Sequence, residues 1–212
     1  MDFKNTQEVG LEMLLERYAY TKLPTMYGDF DLMVFRSVPD GGEHLLISKG
    51  VLSDDNPPFL RIHSECLTGE VFGSLRCDCK AQLDLALETI AKEEQGMVIY
   101  LRQHEGRGIG LGNKIKAYEL QRTENLDTLT ANTALGFPEE LRSFSVAIAM
   151  LKFLKISKVR LNTNNPEKIA ALEAAGISVV ERVPSLSMPN AHNRPYLMTK
   201  LHKLGHHLEE IL

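Results

Sequence analysis

All three cysteines of the chain fall in one stretch, at Cys66, Cys77 and Cys79. Ten residues separate the first pair and one residue separates the second, so an ordered turn could bring three thiolates to one soft divalent ion, zinc above all. Three protein ligands leave a tetrahedral ion one open position, at which it can hold and deprotonate a water; a fourth ligand would make a closed, structural site. His63, three residues before Cys66, could supply that fourth ligand. Two plainer readings stand beside these: thiols buried as small hydrophobes, and a disulfide. The polar neighbours Arg76 and Asp78 are unlike a core, and an odd cysteine count without secretory context speaks against a disulfide.

Two further stretches carry charge where a ligand could meet it. Arg102 to Lys114 holds glycines at 106, 108, 110 and 112, which let a backbone approach an anion and turn several N–H groups toward it. Their spacing fits neither a P-loop nor Gly-x-Gly-x-x-Gly, and a flexible turn between strand and helix is the competing reading. Glu105 and Arg107 in that loop, with Lys114, Lys116 and Tyr118 on the helix expected after it, favour a binding role. In Thr163-Asn-Asn-Pro166-Glu-Lys168, Asn165 suits an N-cap, Pro166 the first helical position and Gly176 the exit. A helix N-terminus of that kind attracts phosphate, and Thr163 and Lys168 add a hydroxyl and an ammonium.

The elements that must position these groups read as an α/β fold. Glu8 to Tyr18 has the spacing of a short amphipathic helix. Phe30 to Ser37, Glu43 to Gly50 and Phe59 to His63 read as strands divided by Pro39-Asp-Gly-Gly and Asp54-Asp-Asn-Pro-Pro, the third delivering Arg61 and Glu65 toward Cys66. Leu83, Leu87 and Ile90 mark a helix over Lys80 to Glu94, with Gln82 in its first turn facing the metal. Met97 to Leu101 is a continuously apolar strand, as in a sheet covered on both faces. A helix from about Glu139 to Leu154, strands over Lys158 to Asn162 and Ile177 to Val183, and a C-terminal helix complete the pattern. His202, His206 and His207 on that last helix read as a solvated face. The alternation predicts a layered domain with a mixed β-sheet flanked by helices.

Composition bounds the function. The chain has 212 residues, 43% of them hydrophobic, enough to bury a core. A formal charge of -4 argues against general binding of nucleic acid, so an anionic substrate must be met by local cations. No apolar run approaches transmembrane length and the first residues are polar, which points away from a membrane and toward the cytoplasm, where thiolates stay reduced.

The run Arg61-Ile-His-Ser-Glu-Cys66-Leu-Thr-Gly-Glu, then Ser-Leu-Arg-Cys77-Asp-Cys79 and Gln82, resembles the zinc-binding signature of GTP cyclohydrolase II. The stretch from Glu105 through Tyr118, Leu126-Asp-Thr128 and the Thr163 to Lys168 run are similar to later motifs of the same family, so that the likeness covers roughly residues 20 to 205. The resemblance implies hydrolysis of GTP. The guanine imidazole ring opens, and formate and diphosphate leave, giving 2,5-diamino-6-(5-phosphoribosylamino)pyrimidin-4(3H)-one, the first committed intermediate of riboflavin synthesis. It further implies one catalytic Zn2+ per subunit on Cys66, Cys77 and Cys79, Mg2+ with the substrate phosphates, and a homodimer. Its implied substrate-binding residues are Arg61, Ile62, His63, Ser64, Glu65, Gln82, Glu105, Gly106, Arg107, Thr128, Thr163 and Lys168.

Its implied catalytic residues are Tyr118, Glu140 and Arg142. Here the chain departs from the family pattern of Asp-x-Arg followed by Asp and an aromatic, offering Glu140, Leu141, Arg142, Ser143 and Phe144. A guanidinium is almost never deprotonated, so Arg142 reads as a phosphate clamp before a nucleophile. The expected division is an N-terminal extension over 1–19, a catalytic domain over 20–183 and a connector with a helix over 184–212. Alternatives are a family member that stops at the formamidopyrimidine or serves another pathway, and a non-catalytic zinc and nucleotide-binding module. No dihydroxybutanone-phosphate synthase half is evident, so a single activity is expected.

Overall fold

A computed structural model describes residues 6–8, 14–38 and 40–208. Its residues divide into two compact units. One is formed by the described residues of Met1–His63, Leu83–Arg102 and Phe144–Ser185, the other by those of Ser64–Gln82, Gln103–Ser143 and Leu186–Leu212.

The strands are β1 (Thr6–Glu8), β2 (Leu14–Thr25), β3 (Gly28–Ser37), β4 (Glu43–Lys49), β5 (Phe59–Ser64), β6 (Gly96–Leu101), β7 (Lys158–Asn162) and β8 (Ser178–Val183). They form one mixed sheet in the order β1-β2-β3-β4-β6-β5-β7-β8, so the fold is the α/β layered one expected. Short connections explain the antiparallel half. Thr25 pairs with Gly28 across a two-residue turn, and β3 pairs with β4 from Asp31↔Ser48 to Arg36↔Glu43. The parallel pairs β5–β7 and β7–β8 need longer crossovers. Between β7 and β8 the crossover is helix α6 (Pro166–Ala174), started as expected by Asn165, whose side chain accepts from the Glu167 N–H.

Both faces of the sheet are apolar because successive side chains point to opposite sides. In β6, Met97, Ile99 and Leu101 join one buried cluster while Val98 joins the other; in β5, Leu60 and Ile62 part from Phe59 in the same way. The first cluster is covered by α5 (Ser145–Phe153) through Ala147, Met150 and Leu151, with Leu172 of α6. The second is covered by α2 (Cys79–Lys92) through Ala86 and Ile90.

Two expected helices are corrected. Of the segment Glu8 to Tyr18, residues 9–13 lie outside the described ones, and the rest is strand: β2 runs from Leu14 and pairs with β3 along its length. A weak helical spacing yields to a long antiparallel partner, which supplies a hydrogen bond at alternate residues and buries Leu15. The second helix starts at Ser145 rather than near Glu139. Leu141 N–H donates to the Arg107 carbonyl and Arg142 N–H donates to the Glu140 side chain, so these amides are unavailable to a helix.

The second unit is built from short helices: α1 (Leu67–Glu70), the head of α2, a 3-10 turn at Glu105–Arg107, α3 (Leu111–Thr123), α4 (Thr128–Ala134) and α7 (Arg194–Leu204). Asp127 caps α4 by accepting from the N–H groups of Leu129 and Thr130 at 2.9 and 3.1 Å. Among the described residues, no helix is long and apolar enough to cross a membrane.

Phe35 is fully buried and meets the edge of Phe153 with ring centroids 5.3 Å apart. Phe35→Ala is expected to lower the unfolding free energy by ~3–5 kcal/mol, measured by urea denaturation.

Candidate functional site

The three thiols come from three local structures. Cys66 is the N-cap residue of α1, Cys77 lies in the loop that follows, and Cys79 opens α2. Their sulfurs all lie within 4.8 Å of one another, and those of Cys66 and Cys77 are 3.6 Å apart. Gly69 makes this crowding possible. A β-carbon there would stand 2.9 Å from the Cys77 sulfur and 3.3 Å from that of Cys66.

Three thiolates so close repel one another, and the protons distribute accordingly. Hydrogen bonds from the Cys77 and Cys79 thiols hold Cys66 well below the usual thiol range, with Lys114 adding to the effect. The same bonds push Cys77 up to about 11 and Cys79 well above its ordinary value. One thiolate and two thiols therefore share the site, an arrangement that a divalent cation would convert to three thiolates. The soft donor set and its spacing fit such an ion. The His63 ring stacks on that of Tyr100 with centroids 5.5 Å apart, and among the described residues the side chains gathered closely enough for a metal are the three cysteines.

Lys114, on the first turn of α3, brings a cation against the sulfurs. Its Nζ lies 3.2 Å from the Cys66 sulfur and 2.8 Å from the Thr68 hydroxyl, and it is ion-paired to the Glu105 carboxylate. Burial pulls its pKa down, but Cys66, Tyr118 and Glu105 outweigh burial, so it stays charged. Glu105 also accepts from the Leu67 N–H at 2.8 Å, tying the 3-10 turn to the start of α1. One helical turn beyond Lys114, the Tyr118 ring carries the Arg76 guanidinium at 4.7 Å from its centroid. Burial raises the Tyr118 pKa, with Lys114 and a bond to Thr68 opposing, so the phenol keeps its proton at neutral pH.

A second charged group sits around Glu140. Its carboxylate accepts from Arg142 Nε at 2.7 Å and Nη2 at 2.5 Å, and from Arg107 Nη1 at 2.9 Å. Burial would raise the Glu140 pKa, but the Arg142 hydrogen bond and the two guanidinium charges pull it below its ordinary value. The glycine loop also shapes this grouping. The Gly108 and Gly110 amides both donate to the Glu105 carbonyl, and a β-carbon on Gly108 would stand 2.9 Å from that of Leu141. The loop's left-handed residues, Gly106 and Arg107 among them, let it fold against residues 140–142.

Within the second unit, a cavity of about 350 Å³ gathers many of the expected residues. Ser64, Glu65 and the three cysteines line it, as do Glu105, Gly106, Arg107, Tyr118, Thr128 and Arg142. Glu65 accepts from the Gln103 N–H at 2.9 Å, and the Ser64 hydroxyl lies 3.2 Å from His104 Nδ1. Gln82 and Glu140 are not on the cavity wall: Gln82 donates to Asp78 at 2.6 Å, and Glu140 accepts from Arg107 and Arg142.

The other expected residues belong to the first unit and cluster there. Arg61 donates to the Asn162 carbonyl at 3.2 Å and to the Ser185 hydroxyl at 3.0 Å. Lys168 donates to the Ile62 carbonyl at 2.7 Å, and the Thr163 hydroxyl accepts from the Asn165 N–H at 3.0 Å. Missing from the sequence-based site were Arg76, His104, His192, Tyr196 and Thr199, all on the cavity wall. Lys114 was noticed only as a nearby cation, although its i, i+4 spacing to Tyr118 already puts both on one helix face.

Residues 16–184 match the family model for GTP cyclohydrolase II. The chain is 51% identical over 192 residues to the GTP cyclohydrolase-2 of Tolumonas auensis, covering 91% of this chain and 96% of that protein. It is 48% identical over 198 residues to the enzyme of that name from Shewanella halifaxensis, covering 93% and 94%. Against the riboflavin biosynthesis protein RibBA of Aquifex aeolicus, identity is 49% over 195 residues, 92% of this chain but 48% of that protein. The chain thus spans about half the length of such relatives.

Two expectations follow from the geometry. Because no positive φ is required at Gly69, Gly69→Ala probes the sulfur contacts rather than the backbone. It is expected to weaken binding of a divalent metal ion on the order of tenfold or more, measured by chelator competition, with the far-ultraviolet circular dichroism unchanged. Glu140→Gln is expected to destabilise the fold by about 1–2 kcal/mol at neutral pH. Because the folded pKa is depressed, this difference is fully present above the ordinary glutamate value and disappears as pH falls through the lowered one, measured by urea unfolding against pH.

Proposed function

The chain belongs to the GTP cyclohydrolase II family, and on that premise we propose that it hydrolyses GTP, opening the guanine imidazole ring with release of formate and diphosphate. The observation that carries this reading is the gathering of three metal-competent thiols, a protonated tyrosine and three arginines on one cavity wall. Cys66, Cys77 and Cys79 would hold zinc, which when bound supplies Lewis acidity that brings the pKa of a water toward neutrality.

The protein's own groups divide the remaining work. Water adds at C8 of guanine, a ring C–N bond breaks to leave a formamide, and a second water releases formate. Tyr118, its pKa raised by burial, is suited to donate a proton to the departing nitrogen and to orient water. Lys114 balances charge at Cys66 and fixes Glu105, while Arg76 over the Tyr118 ring restrains the phenol.

A third water attacks the α phosphorus, and the bond from that phosphorus to the oxygen bridging it to the β phosphorus breaks, releasing diphosphate. Arg142 stays protonated: burial opposes its charge, but Glu140 more than compensates, so it acts as a fork on phosphoryl oxygens. Glu140 is a weak base between two guanidiniums and contributes by aiming Arg142 and Arg107. Mg2+ with the substrate phosphates, a homodimer and a reducing cytoplasmic setting belong to the same proposal. So do nucleotide contacts from Ser64, Glu65, Gln82, Glu105, Gly106 and Thr128, and from Arg61, Ile62, His63, Thr163 and Lys168.

The test is to incubate zinc-loaded protein with GTP and Mg2+ and follow formate, diphosphate and the pyrimidine together. Equal amounts of all three are expected. A formylated pyrimidine without formate would establish the truncated reaction, and no turnover would leave a binding module. Tyr118→Phe is expected to lower the rate of ring opening on the order of a hundredfold with zinc content unchanged.

A further inference from the structure

Asp78 lies between two of the three thiols in sequence, and its side chain is only 1% exposed. Both of its oxygens are engaged. Lys200 Nζ lies 2.8 Å from Oδ1, and Gln82 Nε2 donates to Oδ2 at 2.6 Å. Lys200 comes from α7, far along the chain and beyond the residues 16–184 that match the family model. It too is buried, with its ammonium 4.4 Å from the centroid of the Tyr196 ring one turn earlier.

A carboxylate placed beside three sulfurs, one of them charged, and removed from water has no solvent to offset its charge. Some cation must hold it in place. Lys114 is already bonded to Cys66 and Glu105, and the ammonium on Asp78 is that of Lys200. Holding both oxygens fixes the Asp78 side chain and with it the backbone that joins Cys77 to Cys79. A charge-assisted hydrogen bond in a buried setting is strong enough for that task.

We propose that Lys200 is a positioning residue for the metal: through Asp78 it holds Cys77 and Cys79 at ligand spacing, which makes α7 part of the metal centre. This rests on the reading that the three cysteines bind zinc. Lys203, one turn further on the same helix, instead meets Asp127 at 2.6 Å and is half exposed, so it serves as the control.

The experiment uses the full chain loaded with zinc. Zinc per chain is measured by atomic spectroscopy, and its release into excess chromophoric chelator is timed for wild type, Lys200→Met, Lys200→Arg, Asp78→Asn, Lys203→Met and the Asp78→Asn/Lys200→Met double variant. Wild type is expected to hold one zinc per chain and Lys200→Met to release it about tenfold faster or more, the size of effect seen when a partner of a metal ligand is lost. Lys203→Met should match wild type, Lys200→Arg should recover part of the loss, and the double variant should be little worse than either single one.

If Lys200→Met does not fold, Asp78→Asn carries the same test from the other partner. Wild-type release rates in both Lys200→Met and Asp78→Asn, or strictly additive effects in the double variant, would overturn the proposal while leaving the zinc reading intact. A wild-type chain that takes up no zinc would overturn that reading and this inference with it.

Discussion

Three sulfur atoms within 4.8 Å of one another cannot all carry charge unless cations answer them, and much of the second unit answers that demand. Hydrogen bonds from its neighbours and the ammonium beside it favour charge on Cys66, and the same bonds disfavour charge on Cys77. Lys114 is itself held by Glu105, and Glu105 by the start of α1. The same bonds that balance the charge therefore fix the residues that carry it. A buried pair of this kind adds little stability over a well-packed apolar one, so its value lies in fixing where the sulfurs stand.

The grouping around Glu140 follows the same logic with the signs reversed. Two guanidiniums near a cavity repel each other, and one carboxylate between them sets their spacing. The resemblance to GTP cyclohydrolase II implied a shorter acid, an aspartate, at this place. Here the longer side chain accepts from Arg142 on both oxygens and still reaches Arg107. Both guanidiniums are thus held in place by one acid, which limits the conformations open to them.

The first unit has a different basis. Its sheet is covered by helices on both faces, so its interior is held by apolar burial, and its polar groups lie near strand and helix ends. Arg61, Asn162, Ser185, Lys168 and the Ile62 carbonyl satisfy one another there. Buried groups of this type rarely tolerate loss of a partner, because the one left behind has lost water as well.

What could be read along the chain was whatever depends on near neighbours. The Cys-x-Cys spacing, the apolar run of β6, the Asn165-Pro166 start of α6 and the sheet's mixed character are all local statements about residue type and period, and the structure contains each of them. Other features were decided by partners distant in sequence. Leu15 to Tyr18 is strand because β3 lies alongside it, and ahead of α5 the Leu141 and Arg142 amides bond the Arg107 carbonyl and the Glu140 side chain. Lys200 reaches Asp78 across more than a hundred residues, and no periodicity in either segment announces it. Local pattern is set by steric and hydrophobic preferences that act within a few residues, whereas the pairing of buried charges is chosen only when folding removes water and each must find a counterpart.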